Sequence, residues 1–182
     1  MTDYLKPEEY DACYFDGASQ RYKHNAGYSE YKRWCRHEGV NSSGEYWKDK
    51  AIELVEKFDL KGKKTLELGC AKGFLVHDML ELGVNAFGLD VSEYARNCAE
   101  DEKTKQRIFL GDAREMVKTF KDKEFDFVFS LKFLECIHEQ SLELLNKQLT
   151  RISKEQYHEF AGNGNEYYTD ENIIKKLFAH NH

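Results

Sequence analysis

One proline, Pro7, stands in 182 residues, so the loops must be punctuated by glycine, notably at Gly39, Gly44, Gly62, Gly83 and the Gly162-Asn163-Gly164 stretch. Cysteine is sparse and scattered: Cys13, Cys35, Cys70, Cys98 and Cys136 form an odd set with no C-x-x-C spacing. That pattern argues against a zinc ribbon and a disulfide framework, and the five are read as free thiols. Histidine offers only the pairs Cys35-x-His37 and His180-x-His182, too few companions for a metal site, so no metal is expected. No stretch approaches the ~20 consecutive apolar residues of a membrane span. The opening Met1-Thr2-Asp3-Tyr4 lacks the basic-then-apolar layout of a signal peptide, so a cytoplasmic address is expected. Positive charge is not in excess either: 27 Lys and Arg face 33 Asp and Glu for a net charge of −6, interspersed along the chain. A partner gripped through its phosphates is therefore disfavoured, DNA included.

What is present describes one globular domain, at 41% hydrophobic and 33% charged residues. A chain of this length can bury roughly two-thirds of its extended surface and needs no staples. Residues 1–41 read as an aromatic-rich arm, with Tyr4, Tyr10, Tyr14, Phe15, Tyr22, Tyr28, Tyr31 and Trp34 among charges and no sustained period. Such an arm packs against the domain surface or lids a ligand, and in the second reading Tyr22 and Tyr28 would meet the substrate. The domain proper is expected over 42–182.

From Ser42 the pattern becomes regular. Ser42 and Glu45 have capping-box spacing, and Trp47, Ala51, Leu54, Val55 and Phe58 follow on one helical face. Short apolar runs then alternate with helical patterns. Strands are predicted at 64–68, 86–89, 107–110, 125–130 and, more weakly, 156–160. The intervening helices carry stripes at Leu75, Met79 and Leu82 and at Leu142, Leu145, Leu149 and Ile152, and a last short helix from Thr169 uses Ile173, Ile174, Leu177 and Phe178. This alternation implies an α/β fold, a three-layer sandwich around a mostly parallel sheet of about five strands.

The informative segment is Leu66-Glu67-Leu68-Gly69-Cys70-Ala71-Lys72-Gly73-Phe74, between the first strand and its helix. Small residues at 69, 71 and 73 let a ligand approach the backbone, and the helix start behind them offers unpaired N–H groups. A phosphate-binding P-loop requires Ser or Thr after Gly-Lys, yet Gly73 is followed by Phe74. A dinucleotide fingerprint aligned on Gly69 wants glycines where Ala71 and Phe74 stand; it shares the acidic residue of the second strand and stays open as a weaker alternative.

The segment resembles motif I of class I S-adenosylmethionine-dependent methyltransferases, acidic-x-Gly-x-Gly-x-Gly, with Glu67, Gly69 and Gly73 matching. Ala71 replaces the middle glycine, a change that adds one methyl and expects a negative φ there. Asp90, closing Phe87-Gly88-Leu89-Asp90-Val91-Ser92, then matches the family's ribose-binding carboxylate. Asp112 in Leu110-Gly111-Asp112-Ala113 matches the carboxylate that accepts from the adenine amino group. The run from Phe125 through Ser130-Leu131-Lys132-Phe133 to Ile137 is similar to motif IV, and Ser130, Leu131 and Lys132 would run beneath the cofactor. The resemblance covers residues 45–160 and implies a Rossmann-like fold. S-adenosylmethionine would be held by Glu67, Gly69, Cys70, Ala71, Gly73, Asp90, Val91, Asp112, Ala113 and 130–132.

Methyl transfer is an in-line displacement in which proximity and alignment supply much of the catalysis. A hydroxyl acceptor would want a nearby base, for which His138 is best placed after motif IV. Family members that methylate DNA amino groups carry Asn or Asp, then Pro-Pro-aromatic, where this chain has Ser130-Leu131-Lys132-Phe133. The aromatic arm suits a small-molecule acceptor. After Phe160 the family's final antiparallel hairpin is not legible, leaving the fifth strand as an edge that the arm or a second copy in a homodimer would cover. That shortening raises an alternative: a catalytically inactive relative that binds the cofactor and serves as a regulatory or structural partner.

Overall fold

The computed structural model describes residues 7–15, 46–160 and 171–178. A 3-10 turn at Pro7–Glu9 and helix α1 (Ala12–Phe15) precede α2 (Tyr46–Phe58), β1 (Lys64–Leu68), α3 (Phe74–Glu81) and β2 (Asn85–Asp90). Then come α4 (Glu93–Asn97), α5 (Glu102–Lys105), β3 (Ile108–Leu110), α6 (Ala113–Met116) and β4 (Phe125–Leu131). A 3-10 turn at Leu134–Cys136, α7 (Glu139–Ile152), β5 (Ser153–Glu159) and α8 (Glu171–Phe178) complete the order. The five strands are all parallel in the order β3-β2-β1-β4-β5, with Leu68 beside Leu89 on one side and Ser130 on the other.

Period-two alternation decides what each face of the sheet receives. Leu66 and Leu68 of β1 join Val128, α7 and α8 in one core, where Leu142, Leu145, Leu149 and Ile152 form the expected stripe. On the opposite face Ala51, Leu54 and Val55 of α2 and Leu75 and Met79 of α3 pack on Ala86, Phe127 and Phe129. Thr65 and Glu67, the other parity of β1, are buried as well.

The predicted strands all form, β1 with the expected ends and the other four with shifted ends. The largest shift is at β5, which starts at Ser153 rather than Gln156 because α7 runs into it without a loop. Ser153 Oγ donates to Leu149 O (2.7 Å), closing the last helical turn as the backbone turns extended, so no glycine marks the junction. β5 lies at the edge of the sheet, tied to α2 by Lys50–Glu159 (2.7 Å). The capping box at Ser42 and Glu45, the arm residues Tyr22 and Tyr28, and the helix start at Thr169 lie outside the described residues. No helix among the described residues is long and apolar enough to cross a membrane.

Candidate functional site

β1 leaves the sheet at Gly69, whose φ of 69° places it in the left-handed region and whose added Cβ would run into the Phe133 ring. The turn stays tied to β2, because Gly69 N and Cys70 N both donate to Leu89 O (2.8 and 3.3 Å), and Gly73 N closes it onto Cys70 O (2.8 Å). Ala71 departs from the expected negative φ: its φ is 49°. A left-handed alanine costs roughly 1–2 kcal/mol. Two contacts offset that cost here, an N–H donated to Asp90 Oδ2 (2.8 Å) and a methyl packed with Phe15 and Ala95.

Three carboxylates stand on the ends of three adjacent strands. Asp90 accepts from Ala71 N through Oδ2 and from Ser92 N through Oδ1 (2.9 Å), bracing the glycine turn against β2. Burial pushes its pKa up, partly countered by those backbone N–H groups. Asp112 caps α6 by accepting from Arg114 N (2.8 Å), and the Arg114 guanidinium holds its carboxyl below the usual range. Glu67 is the buried member: its Oε2 has no hydrogen-bond partner among the described residues, and burial, then the Asp90 charge, push its pKa up to about 8. Because Glu67 has the opposite parity to Leu66 and Leu68, it faces α2 and α3, lining a small recess with Trp47, Phe74 and Leu75 behind the glycine turn.

In front of the turn opens a cleft walled by segment 7–15, the glycine turn, the ends of β2 and β4 and the loop before α6. Of the residues expected to bind cofactor, Gly69, Ala71, Asp90, Val91, Asp112, Ala113, Leu131 and Lys132 line it. Gly73 does not; it starts α3 with a φ of 71°, packed where a Cβ would meet Ile108. Cys70 turns into the recess behind the loop, and burial raises its thiol well above the usual value. Ser130 is fully buried, its Oγ hydrogen-bonded to His158 Nδ1 (2.9 Å), so its side chain supports β4 from the far face. His138 is half-buried at the N-cap of α7, one residue beyond the cleft-lining Ile137.

Sequence reasoning missed Arg114 and Phe133 as cleft residues. Of the arm it singled out Tyr22 and Tyr28, which lie outside the described residues, whereas Tyr10, Tyr14 and Phe15 wall the cleft. Asp11 caps α1 through Cys13 N (2.8 Å), an Asx start legible in Asp11-Ala12-Cys13-Tyr14. Cys136 also lines the cleft, and burial pushes its thiol up to about 12. Among the described residues no group of three His, Cys, Asp or Glu could hold a metal.

A parallel sheet whose central strand ends in a glycine turn, with acidic residues closing that strand and its two neighbours on one side, defines a Rossmann-like nucleoside-binding domain. A model of the methyltransferase domain family matches residues 66–156, half of the chain. The chain belongs to that family, and its fold is that of class I S-adenosylmethionine-dependent methyltransferases.

Among solved structures, magnesium protoporphyrin IX methyltransferase of Synechocystis PCC 6803 with bound SAM has 18% identity and a TM-score of 0.62, covering 100% of this chain and 88% of that one. The PH0226 protein of Pyrococcus horikoshii OT3 is 28% identical with a TM-score of 0.52, over 70% of this chain and 62% of that one. A SAM-dependent methyltransferase of Archaeoglobus fulgidus is 21% identical with a TM-score of 0.51, over 61% of this chain. The chain spans about half the length of that archaeal protein. No curated protein matches the sequence.

Proposed function

We propose that this protein transfers the methyl group of S-adenosylmethionine to a small organic acceptor. The observation that carries the reading is the set of three carboxylates on adjacent strand ends around one glycine turn. The residues fit the cofactor. Each Asp90 oxygen keeps a lone pair beyond its backbone bond and can accept a ribose hydroxyl. Glu67, whose Oε2 is buried without a partner among the described residues, would take a positively charged amino-acid head from the recess behind the turn. When bound, the cofactor supplies an activated sulfonium methyl that needs no further leaving-group activation.

The chain's own residues then orient and enclose. Gly69 and Ala71 bring the backbone close, Val91 and Leu131 give apolar walls, and Tyr10, Tyr14 and Phe133 limit water. Those walls favour a flat or apolar small molecule over a polyanion, in keeping with a net charge of −6 and against DNA. His138, next to the cleft wall at Ile137, is the candidate base for a hydroxyl acceptor. A cytoplasmic protein fits the four free thiols among the described residues. Among the described residues no strand lies beyond β5, and that side is where a second copy would dock in a homodimer.

Calorimetric titration with S-adenosylmethionine and S-adenosylhomocysteine tests the reading, repeated on Asp90→Ala and followed by a methyl-transfer screen on wild type and His138→Ala. Micromolar binding lost in Asp90→Ala is expected, with His138→Ala binding normally and turning over at least about 100-fold more slowly. A folded wild type that binds neither ligand would refute the cofactor assignment. Unchanged turnover in His138→Ala would remove only the base. Binding with no turnover across acceptors would leave the non-catalytic partner reading.

A further inference from the structure

The three carboxylates are held in different ways, and Asp112 is held by a single residue. Arg114 N donates to its Oδ1 (2.8 Å), Arg114 Nε lies between the oxygens at 2.9 and 3.0 Å, and Arg114 Nη2 bonds Oδ2. Three N–H groups of one residue thus grip both oxygens of Asp112, with two contacts on each. The carboxylate cannot rotate about its χ2 without breaking the guanidinium fork and the cap of α6 together. Both side chains line the cleft and remain about one-third exposed, at 36% for Arg114 and 32% for Asp112, so the held carboxylate is reachable by a ligand.

Nothing comparable restrains the other two. Asp90 is fixed by backbone N–H groups alone, and Glu67 Oε2 has no hydrogen bond among the described residues. The backbone before Asp112 lies close against α6: a Cβ on Gly111 would meet the Met116 side chain.

The geometry points to Arg114 as a positioning and specificity-determining residue: by gripping both oxygens of Asp112, it fixes the orientation in which that carboxylate meets an exocyclic amine on the base of the bound nucleoside. This rests on the cofactor reading above and deepens it. A carboxylate aimed in advance gains a hydrogen bond from an amino-purine without reorganising, and meets an oxo-purine with acceptor against acceptor. The guanidinium also keeps Asp112 ionised, since its pKa is drawn down chiefly by the Arg114 side chain. Lysine would keep the charge but not the fork.

The test is equilibrium binding of S-adenosylhomocysteine and of its hypoxanthine analogue, with oxygen in place of the amino group, to wild type, Arg114→Ala, Arg114→Lys and Asp112→Ala. Thermal melts establish that each variant is folded. Wild type is expected to favour the amino ligand by about 10- to 100-fold, the range of one hydrogen bond to a charged group. Asp112→Ala should lose that preference, Arg114→Ala should lose most of it, and Arg114→Lys should fall between wild type and Arg114→Ala. A purely structural Arg114 would weaken both ligands alike and leave the ratio unchanged, overturning the proposal. A ratio that rises in Arg114→Ala would overturn it as well, because Arg114 would then be blocking Asp112. Equal binding of both ligands by wild type would sink this inference while leaving the cofactor assignment standing. No binding of S-adenosylhomocysteine by folded wild type would take both down. Should Arg114→Ala fail to fold, the ratio in Arg114→Lys decides.

Discussion

Protonation of Glu67 couples the site to the stability of the chain. Its pKa, ordinarily 4.5, is pushed up to about 8 in the fold by burial first and the Asp90 charge second. A carboxyl that holds its proton more tightly folded than unfolded contributes nothing unfavourable below pH 4.5. As pH rises from there to about 8 the unfolded chain ionises first, and stability drains away. Asp90, also raised by burial, acts in the same direction. Glu67→Gln cannot ionise, so its urea midpoint should fall less steeply with pH than that of wild type. The gap should widen in favour of Gln by on the order of a few kcal/mol toward pH 8. Parallel curves for the two proteins would mean that Glu67 is already ionised in the folded chain at neutral pH.

Short elements close the cleft, and they are where sequence reading and structure diverge most. The segment 7–15 is docked by Phe15, which is buried against Ala71 and Ala95 and stacked on Tyr94 at 6.4 Å. A hydrogen bond from Ser92 Oγ to Tyr10 O adds to this, and Ser92 Oγ in turn accepts from Ala95 N (2.9 Å) as the N-cap of α4. Phe15→Ala should release this wall while leaving the sheet intact. Amide exchange over 7–15 should accelerate at least about tenfold with the main melting transition nearly unchanged, as expected of a unit with its own local stability. A large drop in the main transition would instead show that the segment folds with the core.

Much of this was legible in advance. The glycine turn and the three carboxylates were readable because each sits within a residue or two of a strand end, and strand ends follow from period and glycine punctuation. Arg114 was not: its pairing with Asp112 spans two residues, a spacing that helical side-chain rules do not bring together, and arises because Asp112 is a cap outside the helix. Phe133 beneath Gly69 joins parts of the chain that only the β1–β4 pairing makes neighbours. The inward turn of Ser130 is likewise set by β5, whose His158 takes its hydroxyl.

Across the molecule the two edges of the sheet do different work. The cleft-lining groups occupy the carboxyl ends of the strands, while the opposite edge is fastened by charge. Asp126 accepts from Lys64 N (2.8 Å) and pairs with Lys154 (2.6 Å), and Lys64 pairs with Glu124 (2.9 Å), joining β1, β4 and β5. Because these contacts are partly exposed, their sum is modest. Asp126→Asn should lower stability by about 1 kcal/mol in urea unfolding and leave S-adenosylhomocysteine affinity within twofold. A marked loss of affinity would show that strand alignment at one edge sets geometry at the other.

The central β1 carries a further consequence, one of timing. Its second neighbour is β4, so Leu68 waits for Ser130, and Gly69 for Phe133, before the two lips of the cleft meet. Closing so long a loop is entropically slow, and a parallel sheet offers no hairpin to shorten it. A nascent chain that has not yet extruded β4 thus lacks Leu131, Lys132 and Phe133, one wall of the cleft. Ligand can stabilise the finished domain, yet it cannot template the early steps that build it.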